Sequence, residues 1–441
     1  MTDLFWPGSE RAGSVFSEQS FLGAMVAVEQ AWLSSLVAGG IAPLAADQPL
    51  ARLLGDSDLP GIAESAEASG IPVIGLIDRL RSRLASDRPD AARWLHRGLT
   101  SQDVVDTALM LCTADAIATV RTAIRRQVEA LVGLVERHRD TVMTGRTLTQ
   151  PGAPTTAGAR FARWLTGVLD AEDALAEQAA TLPVQLGGAV GTNAALVELC
   201  AAAGPDPLDR AEAILADVSV RLGLVNRPPW HTVRTPVSRA GDALVSACDA
   251  FGHIAADVLV LVRPEVGELS LGAGGGSSTM PHKHNPVLAV LVRRAALLAP
   301  ALGSVLHATA AGATDERPAG EWHAEWPTLA RLGRTVVVAA DQTASLLSEL
   351  SVEAVVMSSR ATDTARTLLS ERDSMRAALD LPTPTVTTAS DPNAASDANS
   401  ESDANSASDA DEAQLSRYLG LAGRQADAAL ARARTLLEPS P

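Results

Sequence analysis

The feature that most constrains the fold is a long apolar periodicity that begins at Asp103. Between Asp103 and Arg139, apolar residues recur every three or four positions, with no proline and a single glycine. This spacing predicts one helix of roughly 37 residues, about 55 Å long. Similar patterns predict helices over 155–180, 233–262, 287–311 and 327–350. Such long helices, apolar over much of their circumference, favour an all-α bundle that also packs against other subunits.

The regions on either side of this bundle contain shorter helical patterns and more Gly/Pro breaks. We therefore predict three domains: a small N-terminal helical domain over 1–100, a central long-helix bundle over 101–350, and a small C-terminal helical domain over 351–441. Residues 382–413 repeat the motif SDANS and contain seven acidic and no basic residues. Because such a segment buries too little apolar surface to offset its ordering entropy, we predict a disordered acidic insertion.

The charge balance and the cysteines exclude several classes of function. The chain has 52 acidic and 36 basic residues, a net charge of −16, which argues against a nucleic-acid partner. Three scattered cysteines match no zinc spacing, so we expect reduced thiols, no metal and a cytoplasmic location. No signal-peptide pattern and no apolar run of about 18 residues is visible, so we expect no membrane association.

The basic residues are distributed unevenly between the two types. Of the 36, 35 are arginine, and Lys283 is the only lysine. It lies in the stretch GGGSSTMPHKHNP at 274–286, where Asn285 and Pro286 suit the N-cap and first position of a helix. A helix N-terminus beside a lysine and two serines can bind an anion or stabilise one that develops during a reaction. The spacing alone also fits a Gly/Ser linker before a helix.

The segment GSSTMPHKHNP resembles GSSxMPxKxNP, the signature of the fumarase/aspartase superfamily. The resemblance implies an all-helical, three-domain homotetramer with a twenty-helix core and active sites shared between subunits. It implies that Ser277 is the catalytic base and that Lys283 and Asn285 hold a substrate carboxylate. Ser278 and Met280 belong to the same substrate-binding segment. No metal or organic cofactor is implied.

Two further segments resemble blocks of this superfamily. HRGLTSQDVVDT at 96–107 is similar to its HxGxTSxD block, which implies that Thr100 and Ser101 bind a carboxylate and that His96 lies close by. The spacing alone also fits an ordinary helix cap. GRTLTQPGAPTTAG at 145–158 is similar to its GRT…Q…PTT block, in which Gln150 contacts the substrate.

The third block departs from the superfamily pattern in one respect. Many members carry a general-acid His after the glutamine and a Glu partner seven residues after the signature lysine. Here these positions are Pro151 and Val290. Expulsion of an amine or hydroxide needs a proton donor, whereas a carboxylate leaving group, with a conjugate-acid pKa of about 4, does not. The absence favours a cycloisomerase, although His231 or His323 can replace the missing acid.

Two motifs resemble the 3-carboxymuconate cycloisomerase branch of the superfamily. These are PPWHTVRTP at 228–236 and DERPAGEWHAEW at 315–326. They make His231 a substrate-binding residue and Arg234 and Arg317 candidate carboxylate clamps. That branch more often has Asp where Thr235 stands. A further similarity, VQLGGAVGT at 184–192, indicates a closely packed turn in which the glycines are structural.

The resemblance therefore implies a 3-carboxy-cis,cis-muconate cycloisomerase that acts on a small tricarboxylate and forms 4-carboxymuconolactone in protocatechuate catabolism. The nearest alternative is a lyase that expels another stable anion, such as nitrite from a nitro-dicarboxylate. An adenylosuccinate-type lyase is disfavoured by the missing His. A non-catalytic member is disfavoured by intact Ser277, Lys283 and Asn285.

Overall fold

The computed structural model describes residues 3–272, 275, 280, 284–384 and 410–438. Over these residues the chain is predominantly helical, which confirms the all-α prediction. Five helices are long: α5 Ser101–Arg137, α6 Ala157–Thr181, α9 Thr235–Leu261, α10 Val287–Gly312 and α11 Glu321–Ser348. The others are α1 Glu18–Ala38, α2 Leu59–Ser69, α3 Val73–Leu84, α4 Pro89–Trp94, α7 Ala194–Ala203, α8 Pro207–Leu222, α12 Ala354–Asp363, α13 Ala365–Leu368, α14 Ser370–Ala378, α15 410–417 and α16 Ala422–Leu437.

The long helices follow the predicted bounds within two residues, with one exception. Helix α11 was expected to begin at Pro327 but begins at Glu321, so that Pro327 lies inside it. Proline is most common in the first turn of a helix, but a helix can also contain an interior proline, because one missing N–H hydrogen bond and a modest bend are tolerated. Helix α10 likewise contains Pro300.

Two small antiparallel sheets were not expected from the sequence. Strands β1 (Val142–Thr147) and β2 (Gln150–Thr156) form a hairpin, and β3 (Leu269–Leu271) pairs with β4 (Leu350–Val352). The hairpin turn carries two residues with positive φ, Leu148 and Thr149. These strands are short, and their alternation is too brief to stand out beside the helical periodicity.

The chain divides into two compact units, each assembled from three segments. The first unit comprises Met1–Arg121, Asp173–Cys248 and Ala295–Ala339, and the second comprises Thr122–Glu172, Asp249–Arg294 and Ala340–Pro441. The three-domain division of the chain remains a prediction. Large buried side chains form the core of each unit, with Trp32, Trp230 and Trp322 in the first and Phe161, Trp164 and Phe251 in the second.

Most of the predicted acidic insertion, residues 385–409, lies outside the described residues. The predicted end of the insertion at residue 413 is too late, because 410–417 form α15 and Asp411 is buried. Leu415 of this helix packs into an apolar cluster with Leu368 and Leu369, which explains why the helix is ordered there.

Three helices, α1, α9 and α10, are long and apolar enough to cross a membrane when judged by length and composition alone. The sequence estimate, which counted only uninterrupted apolar runs, missed them. A helix bundle that also packs against other subunits uses the same apolar surface, so the expectation of no membrane association stays a prediction.

Candidate active site

Asp103, in the first turn of α5, connects two of the motifs found in the sequence. Its buried carboxylate accepts backbone N–H bonds from Thr100 (2.9 Å), Gly187 (2.8 Å) and Gly188 (3.0 Å), together with a bond from Gln185 Nε2 (3.3 Å). Burial raises the pKa of Asp103 to about 6, while these hydrogen bonds oppose the rise. The HRGLTSQD segment is thereby held against the VQLGG turn.

Gln185 extends this connection to the PPWHTVR motif. It is fully buried, accepts the backbone N–H of Trp230 at Oε1 (2.7 Å) and contacts His231 Nδ1 through Nε2 (3.1 Å). The other ring nitrogen of His231, Nε2, donates to the Gly188 carbonyl (2.9 Å). These contacts fit a neutral imidazole, and burial lowers the pKa of His231 accordingly. His231 is therefore a structural node here, with both nitrogens occupied, rather than a free replacement for the missing acid.

The two glycines of the VQLGG turn have the structural role expected for them. A Cβ atom at Gly187 would lie 2.3 Å from Cε1 of His231, which leaves no room for any side chain. Gly188 has φ +64°, a conformation that favours glycine. The backbone approaches His231 closely because both positions are glycine.

Arg234 is the centre of a group that we call the buried cluster, comprising Asp106, Arg234, Trp322 and Glu325. Nη1 and Nη2 of Arg234 bind Asp106 (2.7 and 3.0 Å), and Nε and Nη2 bind Glu325 (3.1 and 2.5 Å). The remaining donor reaches the carbonyl of His231 (3.2 Å), and Trp322 Nε1 donates to Asp106 (2.8 Å). All five guanidinium N–H groups are thus satisfied within a side chain that is fully buried.

The expected role of Arg234 as a substrate clamp is revised by this arrangement. A substrate carboxylate would have to displace Asp106 or Glu325 and leave a buried charge without its partner, which costs about 3–5 kcal/mol. Arg234 instead fixes the start of α9 against α5 and α11.

Arg317 has the opposite environment, in the exposed loop before α11. Nη2 donates to Thr100 Oγ1 (2.7 Å), and Nε approaches Gln102 Oε1 (3.4 Å). Among the described residues, none accepts a hydrogen bond from Nη1. Thr100, Ser101 and Arg317, which we call the rim, therefore combine two partly exposed hydroxyls, open guanidinium donors and the N-terminus of α5. This combination attracts a carboxylate.

His96 lies in the loop that leads into α5. Its Nδ1 is 2.6 Å from Oε1 of Glu29, a fully buried carboxylate of α1. His96 has φ +61°, a conformation that is uncommon for residues other than glycine. The first unit thus contains six of the predicted site residues: His96, Thr100, Ser101, His231, Arg234 and Arg317, of which Arg234 is fully buried.

The second unit contains the described residues of the GRTLTQPGAPTTAG and GGGSSTMPHKHNP motifs. Gln150 begins β2 and is exposed, with Nε2 donating to Thr149 Oγ1 (3.2 Å). Asn285 and Gly275 exchange two backbone hydrogen bonds of 3.0 Å, and the Asn285 side chain donates to the Gly275 carbonyl (3.3 Å). The predicted N-cap role of Asn285 is therefore wrong, since its side chain bonds to the preceding segment and α10 begins at Val287.

The remaining predicted residues lie partly outside the described part of the chain. Ser277, Ser278 and Lys283 lie outside the described residues, and Met280 is exposed. His323, the second candidate to replace the missing acid, is exposed and contacts the Gly70 carbonyl through Nε2 (3.0 Å). Within the described parts of the chain, no group of three or more His, Cys, Asp and Glu side chains is arranged to hold a metal ion.

Reasoning from the sequence missed the side chains that organise this region. Asp106 and Glu325 neutralise Arg234, Gln185 orders His231, and Glu29 holds His96. Asp106 and Glu325 both lie within motifs quoted above, so a search for carboxylates to pair with each motif arginine would have indicated them. Gln185 also lies within a quoted motif, VQLGGAVGT, but nothing in that motif indicates its partner, and Glu29 lies in no motif.

Comparison with known proteins gives consistent results. Residues 61–299 match the sequence profile of a family described as Lyase. A nitrosuccinate lyase of Streptomyces davaonensis is 39 % identical over 362 residues, which cover 81 % of this chain and 76 % of the relative. A 3-carboxy-cis,cis-muconate cycloisomerase of Bradyrhizobium diazoefficiens is 35 % identical over 360 residues, with coverage of 80 % and 77 %.

A solved structure extends the similarity to almost the whole fold. The crystal structure of the 3-carboxy-cis,cis-muconate lactonizing enzyme from Pseudomonas putida has a TM-score of 0.80 and 27 % identity, and the match covers 97 % of each chain. The chain therefore belongs to the lyase family of the fumarase/aspartase superfamily.

Proposed function

We propose that this protein is an enzyme that breaks or forms the bond between a carbon β to a carboxylate and a stable anion, on a small polycarboxylate. The single observation that carries the proposal is the rim, where Arg317 keeps donors available beside two hydroxyls and a helix N-terminus. The motif departures at Pro151 and Val290 support it, because a stable anion leaves without a proton.

The proposed chemistry follows the superfamily resemblance. Ser277 removes the proton from the carbon next to a substrate carboxylate, which then takes up negative charge as an aci-carboxylate. Lys283 and Asn285 hold that carboxylate, while Thr100, Ser101 and Arg317 hold another. Collapse of the aci-carboxylate forms the alkene and breaks the bond to the leaving anion, which departs with the electron pair. We propose Gln150 as a further substrate contact and no cofactor.

The substrate that we favour is a nitro-dicarboxylate such as nitrosuccinate, which would give fumarate and nitrite. Of the two arginines expected as carboxylate clamps, Arg234 is fully engaged by Asp106 and Glu325, which leaves Arg317, and a nitro-dicarboxylate has one carboxylate fewer to hold than a tricarboxylate. The 39 % identity to a nitrosuccinate lyase supports the same choice.

The second candidate is 3-carboxy-cis,cis-muconate, in which an internal carboxylate adds to the conjugated alkene, the alkene electron pair moves onto a carboxylate as an aci-carboxylate, and Ser277 delivers a proton to the carbon to give the lactone. Its support is the whole-length similarity to the Pseudomonas putida lactonizing enzyme and the identity to the Bradyrhizobium cycloisomerase. Both reactions share the relay-free site, so they are alternatives in substrate rather than in mechanism.

Parallel assays of the purified full chain test these proposals. Nitrosuccinate is incubated with the enzyme while nitrite is measured colorimetrically and fumarate by ultraviolet absorbance, and 3-carboxymuconate is followed by loss of its conjugated absorbance. We expect turnover of nitrosuccinate, with nitrite and fumarate formed in equal amounts. Turnover of 3-carboxymuconate alone would reverse our order of substrates, and turnover of neither would overturn the proposal.

The catalytic roles are tested with two conservative variants. Ser277→Ala should abolish turnover, and Lys283→Arg should also reduce it strongly, because a planar guanidinium cannot reproduce a compact ammonium at one carboxylate oxygen. Native size and circular dichroism serve as folding controls. Rates like those of the wild type in Ser277→Ala would remove the serine from the mechanism.

We also propose a homotetramer in which subunits share active sites, as in the superfamily, and a cytoplasmic location. Light scattering after gel filtration should give a mass about four times the 45.6 kDa of the chain. A monomeric mass together with full activity would contradict shared sites.

A further inference from the structure

Glu29, the partner of the motif residue His96, has no role in the motifs or in the proposed mechanism. Glu29 lies in the middle of α1 and is fully buried, and its Oε1 is 2.6 Å from His96 Nδ1. Within the described residues, Oε2 of Glu29 has no hydrogen-bond partner. A buried carboxylate with so little hydrogen bonding is costly unless its one partner is a cation.

The geometry leaves the other face of His96 available. Nδ1 is committed to Glu29, and no described residue hydrogen-bonds Nε2, while 18 % of the side chain remains exposed. The contrast with His231 is direct, since both ring nitrogens of His231 are occupied by Gln185 and Gly188. Of these two histidines in the first unit, only His96 keeps a ring nitrogen open for a ligand.

The charges around His96 favour its cationic form. Burial alone would lower the pKa of His96, but the charge and hydrogen bond of Glu29 outweigh burial, so that the pKa is raised. Arg81 of α3 opposes the rise, and Asp103 of α5 adds to it. The imidazolium therefore persists closer to neutral pH than an isolated histidine would allow.

The backbone adds a second sign that His96 is held in place. Its φ of +61° is disfavoured for a side chain with a Cβ atom, and such conformations persist where the surroundings enforce them. The residue lies four positions before Thr100 of the rim.

We infer that Glu29 is a positioning residue that holds His96 as an imidazolium, whose Nε2–H donates a hydrogen bond to an anionic group of the substrate. The inference rests on the proposed function for the identity of that substrate. The Glu29–His96 pair would give the site a cationic hydrogen-bond donor, although the two positions of the superfamily's His–Glu relay are occupied here by Pro151 and Val290. No proton needs to be transferred, since the leaving anion is stable and the imidazolium acts through its charge and its hydrogen bond.

The central test is Glu29→Gln, which removes the charge but keeps the shape. With the preferred substrate, we expect kcat/KM at pH 7.5 to fall about tenfold, and the loss to shrink as the pH is lowered and His96 becomes protonated in both proteins. A purely structural role would lower kcat/KM by a factor independent of pH. A loss that is constant with pH, or no loss, would overturn the inference.

Asp58→Asn is the matched control, because Asp58 is also a carboxylate with low exposure, in the same unit, paired with Arg83 (2.6 Å). It should lower stability without displacing the pH profile of kcat/KM. An equal displacement in this control would assign the effect to general loosening and count against Glu29.

A measurement without turnover separates this inference from the proposed function. The titration of His96 is followed by NMR with 13Cε1-labelled histidine, assigned by the signal lost in His96→Gln, and fumarate binding is measured by calorimetry. We expect Glu29→Gln to lower the His96 midpoint and to weaken fumarate binding about tenfold at pH 7.5. An unchanged midpoint or unchanged affinity would refute the inference even if both enzyme assays succeed.

The same measurement remains decisive if neither substrate is turned over, in which case the proposed function alone fails. If Glu29→Gln does not fold, Glu29→Asp keeps the carboxylate and withdraws it by one methylene. A smaller shift of the His96 midpoint in the same direction is then expected, and an unchanged midpoint counts against the inference.

Discussion

The buried cluster and the rim use arginine for opposite purposes, although Gln102 joins them. Gln102 Nε2 donates to Asp106 (3.2 Å), and its Oε1 lies 3.4 Å from Arg317 Nε. Arg234 has all five donors satisfied by protein and is fully buried, whereas Arg317 is exposed and keeps donors available. Both arginines come from motifs typical of substrate binding, so the motif alone does not separate a structural arginine from a ligand-binding one. The number of guanidinium donors that the protein leaves unsatisfied does separate the two kinds of arginine.

The largest effect is expected for Arg234→Met. Removal of the guanidinium leaves Asp106 and Glu325 buried without their cation, so the free energy of unfolding should fall by about 3–5 kcal/mol. Urea denaturation monitored by circular dichroism measures this loss in the free energy of unfolding. Arg83→Met is the control, since its partly exposed pair with Asp58 should contribute only about 1 kcal/mol. Equal losses in both variants would remove the distinction of the buried cluster.

Asp103→Asn should be next in size. The amide keeps one acceptor oxygen, but its NH2 group faces backbone N–H groups that now donate to Asp103. Because two donors cannot pair with each other, about 2–3 kcal/mol of stability should be lost. Asp87→Asn, at an exposed carboxylate, should change stability little. A stable Asp103→Asn variant would show that the connection between motifs does not depend on the charge of Asp103.

Arg317→Met tests the rim, where we expect a loss of activity with little change in stability. Stability should change by about 0.5 kcal/mol or less, as for other exposed positions. The value of kcat/KM should fall about 100-fold, equivalent to about 2.7 kcal/mol, because a charge-assisted contact to the substrate is lost. Arg52→Met, at another exposed arginine of the same unit, is the control for activity. If Arg317→Met proved fully active, the rim would lose its proposed role.

The smallest effect is the pH dependence contributed by His96. The folded-state pKa of His96 is raised, so its pairing with Glu29 stabilises the fold fully below the unfolded value of 6.5. This stabilisation is lost as the pH rises through the folded-state value. The difference in unfolding free energy between the wild type and His96→Gln should therefore be larger at pH 6 than at pH 8.5. A difference that grew with pH would contradict the charged pair.

The long helices could be predicted because their periodicity continues for many turns, and a pattern of that length fits no other structure. The β1–β2 hairpin and the true start of α11 could not, since a few alternating residues and a proline near a helix start are locally ambiguous. Tertiary packing decided both.

The residues of the candidate site could be selected from motifs in the sequence, but the contacts that they make could not. Motifs identified Thr100, Arg234 and Arg317, but the role of an arginine depends on which carboxylates reach it. Asp106 and Glu325 lie 128 and 91 positions from Arg234, and no local pattern connects them. The same holds for His96, whose partner Glu29 is 67 positions away.

The contact between Gly187 and His231 has a consequence for how this sequence can diverge. Because a Cβ at position 187 would overlap the imidazole, no side chain can be accepted there while His231 stays in place. Loss of the histidine alone does not suffice, because the same Cβ would also lie 2.8 Å from Cβ of Pro229, so any gain at position 187 needs a change at position 229 as well. Among relatives, a residue larger than glycine at position 187 should occur together with changes at both 229 and 231.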